Sequence, residues 1–197
     1  MNRIVVASGN AGKLAEFNRL LGENGIKFVA QGELGVEDIE ETGLTFVENA
    51  LLKARHVARV TSLPALADDS GLCVEALDGG PGLYSARYAG EPSDAERNID
   101  KLLQALDGVT EAQRGAHFHC SLVLLRHAED PRPLIAQGEW HGRILAARRG
   151  AGGFGYDPLF LDPETGLTAA ELEPATKDRI SHRGQALAVL RAKFAQL

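Results

Sequence analysis

Two neighbouring acids, Asp68 and Asp69, follow the apolar run Pro64-Ala65-Leu66-Ala67 and open the sequence Asp68-Asp69-Ser70-Gly71. Successive residues of an extended strand point to opposite faces, so one carboxylate can meet the core edge while the other meets a cleft. Two acids this close repel, and a divalent cation or a lysine ammonium is what keeps both ionised. Lys53 and Glu41, each near one end of the helix expected after the acidic run, can complete that charge balance. The same four residues also read as a polar turn in which Asp caps backbone N–H groups. Glu41 on its own reads as a solvated surface acid.

Ser8-Gly9-Asn10-Ala11-Gly12-Lys13 is the second candidate. A glycine turn leading into a helix start aims N–H groups at an anion, and Lys13 adds positive charge. It is not a Walker A loop, because Leu14 stands where a Ser or Thr would bind magnesium. The third is Phe154-Gly155-Tyr156-Asp157-Pro158, behind Gly150, Gly152 and Gly153. Its aromatics can stack on a base and Asp157 can accept an N–H from one, although a turn with its aromatic packed inward has the same sequence. Lys177, His182 and Arg183 lie in Ala175–Leu197, which holds five Lys/Arg and one acid. That cluster suits a solvated helix end and equally a set of donors to a carbonyl or phosphate. His117 and His119 share one strand face but have no acid or cysteine partner at metal-site spacing, which argues against zinc. Cys73 has apolar neighbours and no sign of a nucleophile's environment.

The elements that must carry these residues are legible in outline. Arg3–Ala7 reads as a buried strand, followed by a helix from about Lys13 with Leu14, Phe17, Leu20 and Leu21 on one face and Gly22 and Gly25 ending it. A second strand is expected at Ile26–Ala30. Thr45 and Glu48 form a capping-box pattern for a helix to about Val60, with Asn49, Lys53 and His56 on the face opposite the core. Asp94 and its neighbours cap a further helix carrying Ile99, Leu102, Leu103 and Leu106. From Gly115 to about Arg148 an antiparallel meander of three strands is expected: AHFHCSLVLLRH, PLIAQGEW and HGRILAAR. Thr168 and Glu171 have the pattern that caps a short helix, and an amphipathic helix from about His182 ends the chain. Strand, glycine turn, helix and strand at the start point to an α/β sheet.

The 197 residues include 21 Lys+Arg and 27 Asp+Glu, a net charge of −6. The imbalance is local: Phe28–Leu52 contains six acids and no Lys or Arg, and the remainder is balanced. That excludes the basic footprint of a duplex nucleic-acid binder. No run approaches the ~18 apolar residues of a membrane span, and the N-terminal apolar run is too short for a signal peptide. Two cysteines outside any CxxC pattern suit a reducing compartment. One domain spanning residues 1–197, soluble and cytoplasmic, is the expectation.

Taken together, SGNAGK, EETGLTFVENALLKA, LADDSGL, PGLYSARYAG, GGFGYDPLF and SHRGQAL resemble, in order and spacing over essentially the whole chain, the inosine/xanthosine triphosphate pyrophosphatases. The resemblance implies an elongated mixed α/β sheet with flanking helices and two lobes around a central nucleotide-binding cleft, a homodimer, and a magnesium (Mg2+) requirement. It implies hydrolysis of ITP, dITP and XTP to the monophosphate and pyrophosphate, a small-molecule substrate with no nucleic-acid or membrane partner. By the same resemblance Asp69 is the general base and, with Glu41 and Asp68, a metal ligand, Glu40 competing with Glu41 for that place. Ser8, Gly9, Asn10, Ala11, Gly12, Lys13, Lys53 and Ser70 would hold the triphosphate. Phe154, Gly155, Tyr156 and Asp157, with Lys177, His182 and Arg183, would hold the base. Two other readings stay open: a pyrophosphatase for pyrimidine or modified triphosphates, and a regulatory module that keeps the pocket without catalysis.

Overall fold

The computed structural model describes residues 3–9, 13–14, 17–18 and 26–194. The expectations for Asn10, Ala11, Gly12, Leu20, Leu21, Gly22 and Gly25 lie outside the described residues. Six strands form one sheet: β1 (Arg3–Ala7), β2 (Lys27–Ala30), β3 (Ala65–Val74), β4 (Gly115–Leu125), β5 (Leu134–Ile144) and β6 (Phe160–Leu161), in the order β2-β1-β3-β4-β5-β6. β1 pairs in parallel with β2 and β3, and β5 pairs antiparallel with β6, so the sheet is mixed as expected. The helices α1 (Phe46–Thr61), α2 (Ala95–Ala105), α3 (Pro174–Ile180) and α4 (His182–Phe194) flank it. Lys13, Leu14, Phe17 and Asn18 are also helical. The chain divides into two compact units. Among the described residues no helix is long and apolar enough to cross a membrane.

The first unit comprises residues 1–69, 120–137 and 186–197. Its strands are apolar on both faces, as parallel strands covered on two sides must be. Ile4, Val6, Leu66, Cys120, Leu122 and Leu124 pack with Phe17, Leu187 and Leu190 on one face. Val5, Ala7, Ala65, Ala67, Val123 and Leu125 pack with Ala50, Ala54, Val57 and Ala58 of α1 on the other. Alternation along β3 therefore fixes which face each following residue meets. α1 begins where the sequence places it: the Thr45 hydroxyl accepts from Glu48 N, and Glu48 Oε2 accepts from Leu44 N at 2.9 Å. Such a cap contributes about 1 kcal/mol. Asn49 departs from the expected polar face. It is buried, its Oδ1 accepting from Gly43 N at 2.8 Å, and so it pins the chain entering α1.

The second unit comprises residues 70–119 and 138–185. Its core joins Leu72, Val74, Ile99, Leu102, Leu106, Phe118, Trp140, Ile144, Leu159 and Phe160. Trp140 Nε1 donates to Asp162 at 2.9 Å, which satisfies the indole inside that core.

Two expectations are corrected. The strands expected at PLIAQGEW and HGRILAAR are one strand, β5, because no turn residue separates Trp140 from His141 and burial alternates through the junction. Gly142 within it is not a break: a Cβ there would lie 2.4 Å from the Leu161 carbonyl oxygen, so glycine lets β6 approach. The pattern at Thr168 and Glu171 does not start a helix. Glu171 Oε2 accepts from Thr168 N at 2.8 Å in a turn, the Thr168 hydroxyl donates to Arg149 O, and α3 starts only at Pro174. Proline lacks the N–H that a first helical turn leaves unpaired, and so sets that boundary.

Candidate active site

β3 does not stop at Asp68. It continues through Asp69, Ser70 and Gly71 to Val74, so the turn reading of these residues is overturned. β1 pairs with β3 only as far as Ala7 with Ala67. Asp68 and Asp69 thus stand just past the point where β1 gives way to Ser8 and Gly9. Ends of parallel strands leave such openings, and ligands of α/β sheets bind there.

Strand alternation sends the two carboxylates to opposite faces, as expected. Asp68 shares the face of Leu66 and Cys120. Its side chain is fully buried, with Oδ1 paired to the Lys13 ammonium and Oδ2 accepting from the Cys120 thiol at 3.4 Å. Asp69 faces α1, where Lys53 Nζ lies 2.9 Å from Asp69 Oδ1 and 2.7 Å from Glu41 Oε1. One ammonium therefore bridges two carboxylates from separate elements, the segment before α1 and strand β3. Burial pushes the Asp69 carboxyl above its ordinary range, and the Lys53 charge offsets this only in part. Burial alone would lower the Lys53 pKa; Asp69 and Glu41 outweigh it and raise it. Each therefore depends on its partner to stay charged, because an uncompensated charge in a partly buried place is costly.

The second group of predicted residues lies wholly in the second unit. The Asp157 carboxylate accepts from Phe154 N at 2.8 Å and pairs with the Lys177 ammonium. Lys177 Nζ also sits 5.2 Å from the centroid of the Phe154 ring, which is itself exposed. Tyr156 takes the inward-packed place that the sequence also allowed. It is buried, and its hydroxyl donates to Ser85 O at 2.8 Å. Its work is to hold the 154–157 loop onto the 82–87 turn. Ser85 extends that link, because its Oγ accepts from Leu72 N and donates to Gly82 O. His182 and Arg183 open α4 and are both buried; the His182 ring stacks on Phe118 with centroids 4.9 Å apart. Gly184 is what lets α3 and α4 meet: a Cβ there would lie 1.7 Å from Asp178 O. Ser70 and Gly155 fall within β3 and the 154–157 loop, half-buried in both cases.

Cys120, Ser85 and Phe118, which sequence reasoning did not single out, contact the candidate residues Asp68, Tyr156 and His182. Alternation along β4 puts Phe118 and Cys120 on one face, but which strand lies beside β4 is not a local property. The same holds for His119, whose Nδ1 lies 3.3 Å from Glu139 on β5. His141 shares that carboxylate at 3.2 Å. An acid partner invisible to sequence spacing is therefore present, yet among the described residues no three His, Cys, Asp or Glu side chains are grouped to hold a metal ion.

That finding also bears on Glu41, Asp68 and Asp69. Hard carboxylate oxygens suit magnesium, which is usually held by one or two carboxylates together with substrate phosphates and not by an all-protein cage. Glu41 and Asp69, brought to one ammonium, fit that description.

The fold is that of a mixed α/β protein, with acids and lysines gathered at the end of its parallel strands. The chain belongs to the Ham1 family, whose profile matches residues 4–193. A dITP/XTP pyrophosphatase of Xanthomonas campestris pv. campestris is 61% identical over 194 residues, 98% of each chain. The structure of a HAM1 protein from Coxiella burnetii superposes with a TM-score of 0.94 at 51% identity, covering 100% of both chains. That of a nucleoside-triphosphatase/dITP/XTP pyrophosphatase from Mycobacterium abscessus gives 0.79 at 43% identity, covering 95% of this chain and 98% of that one.

Proposed function

We propose that this chain hydrolyses non-standard purine nucleoside triphosphates, dITP, ITP and XTP, between the α- and β-phosphates, releasing the monophosphate and pyrophosphate. The observation that carries the reading is the Lys53 ammonium bridging Glu41 and Asp69 beyond the end of β1. Asp69 accepts a proton from the attacking water, a task suited to a carboxyl whose pKa burial has raised. Lys13 and Lys53 meet the negative charge of the polyphosphate, with Ser8 to Gly12 and Ser70 orienting it. Glu41, Asp68 and Asp69 would hold magnesium, which when bound would neutralise phosphate charge and lower the pKa of a water. No covalent nucleophile is required, since positioning and electrostatics carry phosphoryl transfer.

Phe154, Asp157, Lys177, His182 and Arg183 select the base. Hypoxanthine and xanthine present a 6-oxo acceptor to donors such as Arg183 and His182, whereas adenine presents a 6-amino donor and leaves those groups unpaired. Tyr156 contributes by fixing the loop. The enzyme acts as a cytoplasmic homodimer in this reading, and light scattering of the eluted protein at micromolar concentration is expected to give a dimeric mass; a monomer contradicts it.

The test is a panel measuring pyrophosphate from XTP, dITP, ITP, GTP, ATP, dTTP and UTP in magnesium. The first three are expected to dominate. Dominance of dTTP or UTP would move the chain to the pyrimidine-directed alternative. Binding of ITP without pyrophosphate would favour a regulatory module.

A further inference from the structure

In its second half β3 presents its backbone to the segment that follows it in the chain. Along a strand the N–H groups of every second residue point to the same edge. On one edge the Val74 N–H donates to Gly80 O at 3.0 Å, and the Leu72 N–H donates to the Ser85 hydroxyl at 2.9 Å. Ser70, assigned above to the triphosphate, is the next residue of β3 on that edge. Ser85 is buried, and its hydroxyl gives its one proton to Gly82 O at 2.6 Å. Its carbonyl oxygen accepts from the Tyr156 hydroxyl at 2.8 Å. The residues after it are held by α2: Asn98 Oδ1 accepts from Ala89 N at 2.6 Å, and Asn98 Nδ2 donates to Ala86 O at 2.9 Å. All of these residues belong to the second unit.

We infer that Ser85 is a positioning residue for the reaction, the joint that holds the 154–157 loop in register with β3 at Ser70. This rests on the reading of the site as a nucleoside-triphosphate-hydrolysing centre. A bound nucleotide spans the residues that take its base and those that take its polyphosphate, so both ends are placed together only if that spacing is held. The Tyr156 hydroxyl can fix the loop only against an acceptor that stays in place. Ser85 O is such an acceptor, because the Leu72 N–H holds its own side chain and Asn98 holds the residues that follow. The path from the loop to β3 is therefore Tyr156 Oη, Ser85 O, Ser85 Oγ and Leu72 N. Small losses of register are costly, since a misplacement of about 1 Å arising far from the reacting atoms can lower a rate on the order of 10²-fold.

The experiment uses the whole chain and two readouts: kcat and KM for pyrophosphate release from XTP, and amide hydrogen exchange of residues 70–74 without nucleotide. Tyr156→Phe removes only the hydroxyl and is expected to raise KM for XTP about fivefold with little change in kcat, the worth of one buried hydrogen bond acting on bound substrate and transition state alike. Ser85→Ala cuts the link to β3 and is expected to lower kcat itself by about tenfold, because Ser70 orients the reacting phosphates. The double variant is expected to match Ser85→Ala in kcat/KM to within about twofold, since a path already cut loses little at a second point. Both single variants are expected to speed exchange across 70–74, although Tyr156 lies on a different segment. Ser85→Cys, of similar shape with a sulfur that accepts weakly, replaces the Ala variant if circular dichroism shows that it does not fold. A folded Ser85 variant with a lower unfolding temperature but unchanged kcat and KM would overturn the inference, as would losses that multiply in the double variant. Absence of pyrophosphate from XTP with the wild-type chain is instead a failure of the functional reading. Exchange of 70–74 in the Tyr156→Phe chain then still decides: faster exchange supports the joint and unchanged exchange overturns it.

Discussion

Asp69→Asn is expected to lower kcat for XTP by roughly 10²- to 10⁴-fold, the range that a positioned general base contributes. Asn has the size of Asp and keeps an oxygen that can accept from Lys53, so the packing around β3 and α1 survives. It cannot take a proton from water. Lys53 retains Glu41 as a charged partner, which limits the disturbance to the Asp69 side of the bridge. The thermal unfolding midpoint should therefore stay near that of the wild type while turnover collapses. Turnover within a few fold of wild type, with the fold intact, would remove Asp69 from the role of base.

The second large effect concerns base selection. Arg183→Met is expected to reduce the ratio of kcat/KM for XTP over ATP by on the order of 10²-fold, mostly through loss of activity on XTP. Arg183 is buried at the start of α4, where a lost donor cannot be replaced by bulk water without cost. Met keeps the length and apolar stem of the side chain, so a purely structural role predicts a lower unfolding temperature with the ratio unchanged. The 6-oxo group is common to xanthine, hypoxanthine and guanine, so this hydrogen bond separates XTP from ATP and not from GTP. An unchanged ratio in a folded variant would place the selection elsewhere in the pocket.

How far the site was legible in the sequence depended on whether a residue's partner was fixed locally. The opposite orientation of Asp68 and Asp69 follows from strand alternation alone, and the structure has it. The cap at Thr45 and Glu48 forms as the spacing requires, and it places Lys53 two turns along α1, where it reaches β3. The proposed roles of the lysines and acids came from resemblance, and the structure adds their pairing: Lys13 with Asp68, Lys53 with both Asp69 and Glu41.

What was not legible was set by strands and turns distant in sequence. Cys120 stands among apolar neighbours along β4 that signal no polar partner, yet its thiol meets Asp68 across 52 residues of chain. Tyr156 has the look of a stacking aromatic on a glycine loop, and nothing local says that its hydroxyl is committed to Ser85, 71 residues away. The Asp68-Asp69-Ser70-Gly71 run has the composition of a turn, yet sheet pairing keeps it extended through Val74, tertiary context overriding propensity. At Thr168 the capping pattern was present, but a carbonyl from Arg149 took the hydroxyl and Pro174 set the later helix start.

The most direct measurement of the central claim is the 31P spectrum of XTP incubated with the enzyme and magnesium. Cleavage between the α- and β-phosphates gives equimolar xanthosine monophosphate and pyrophosphate, the pyrophosphate resonance carrying twice the phosphorus of the other, with no xanthosine diphosphate on the way. That is the expected result. Xanthosine diphosphate with inorganic phosphate, or XTP left intact by folded protein, would contradict it.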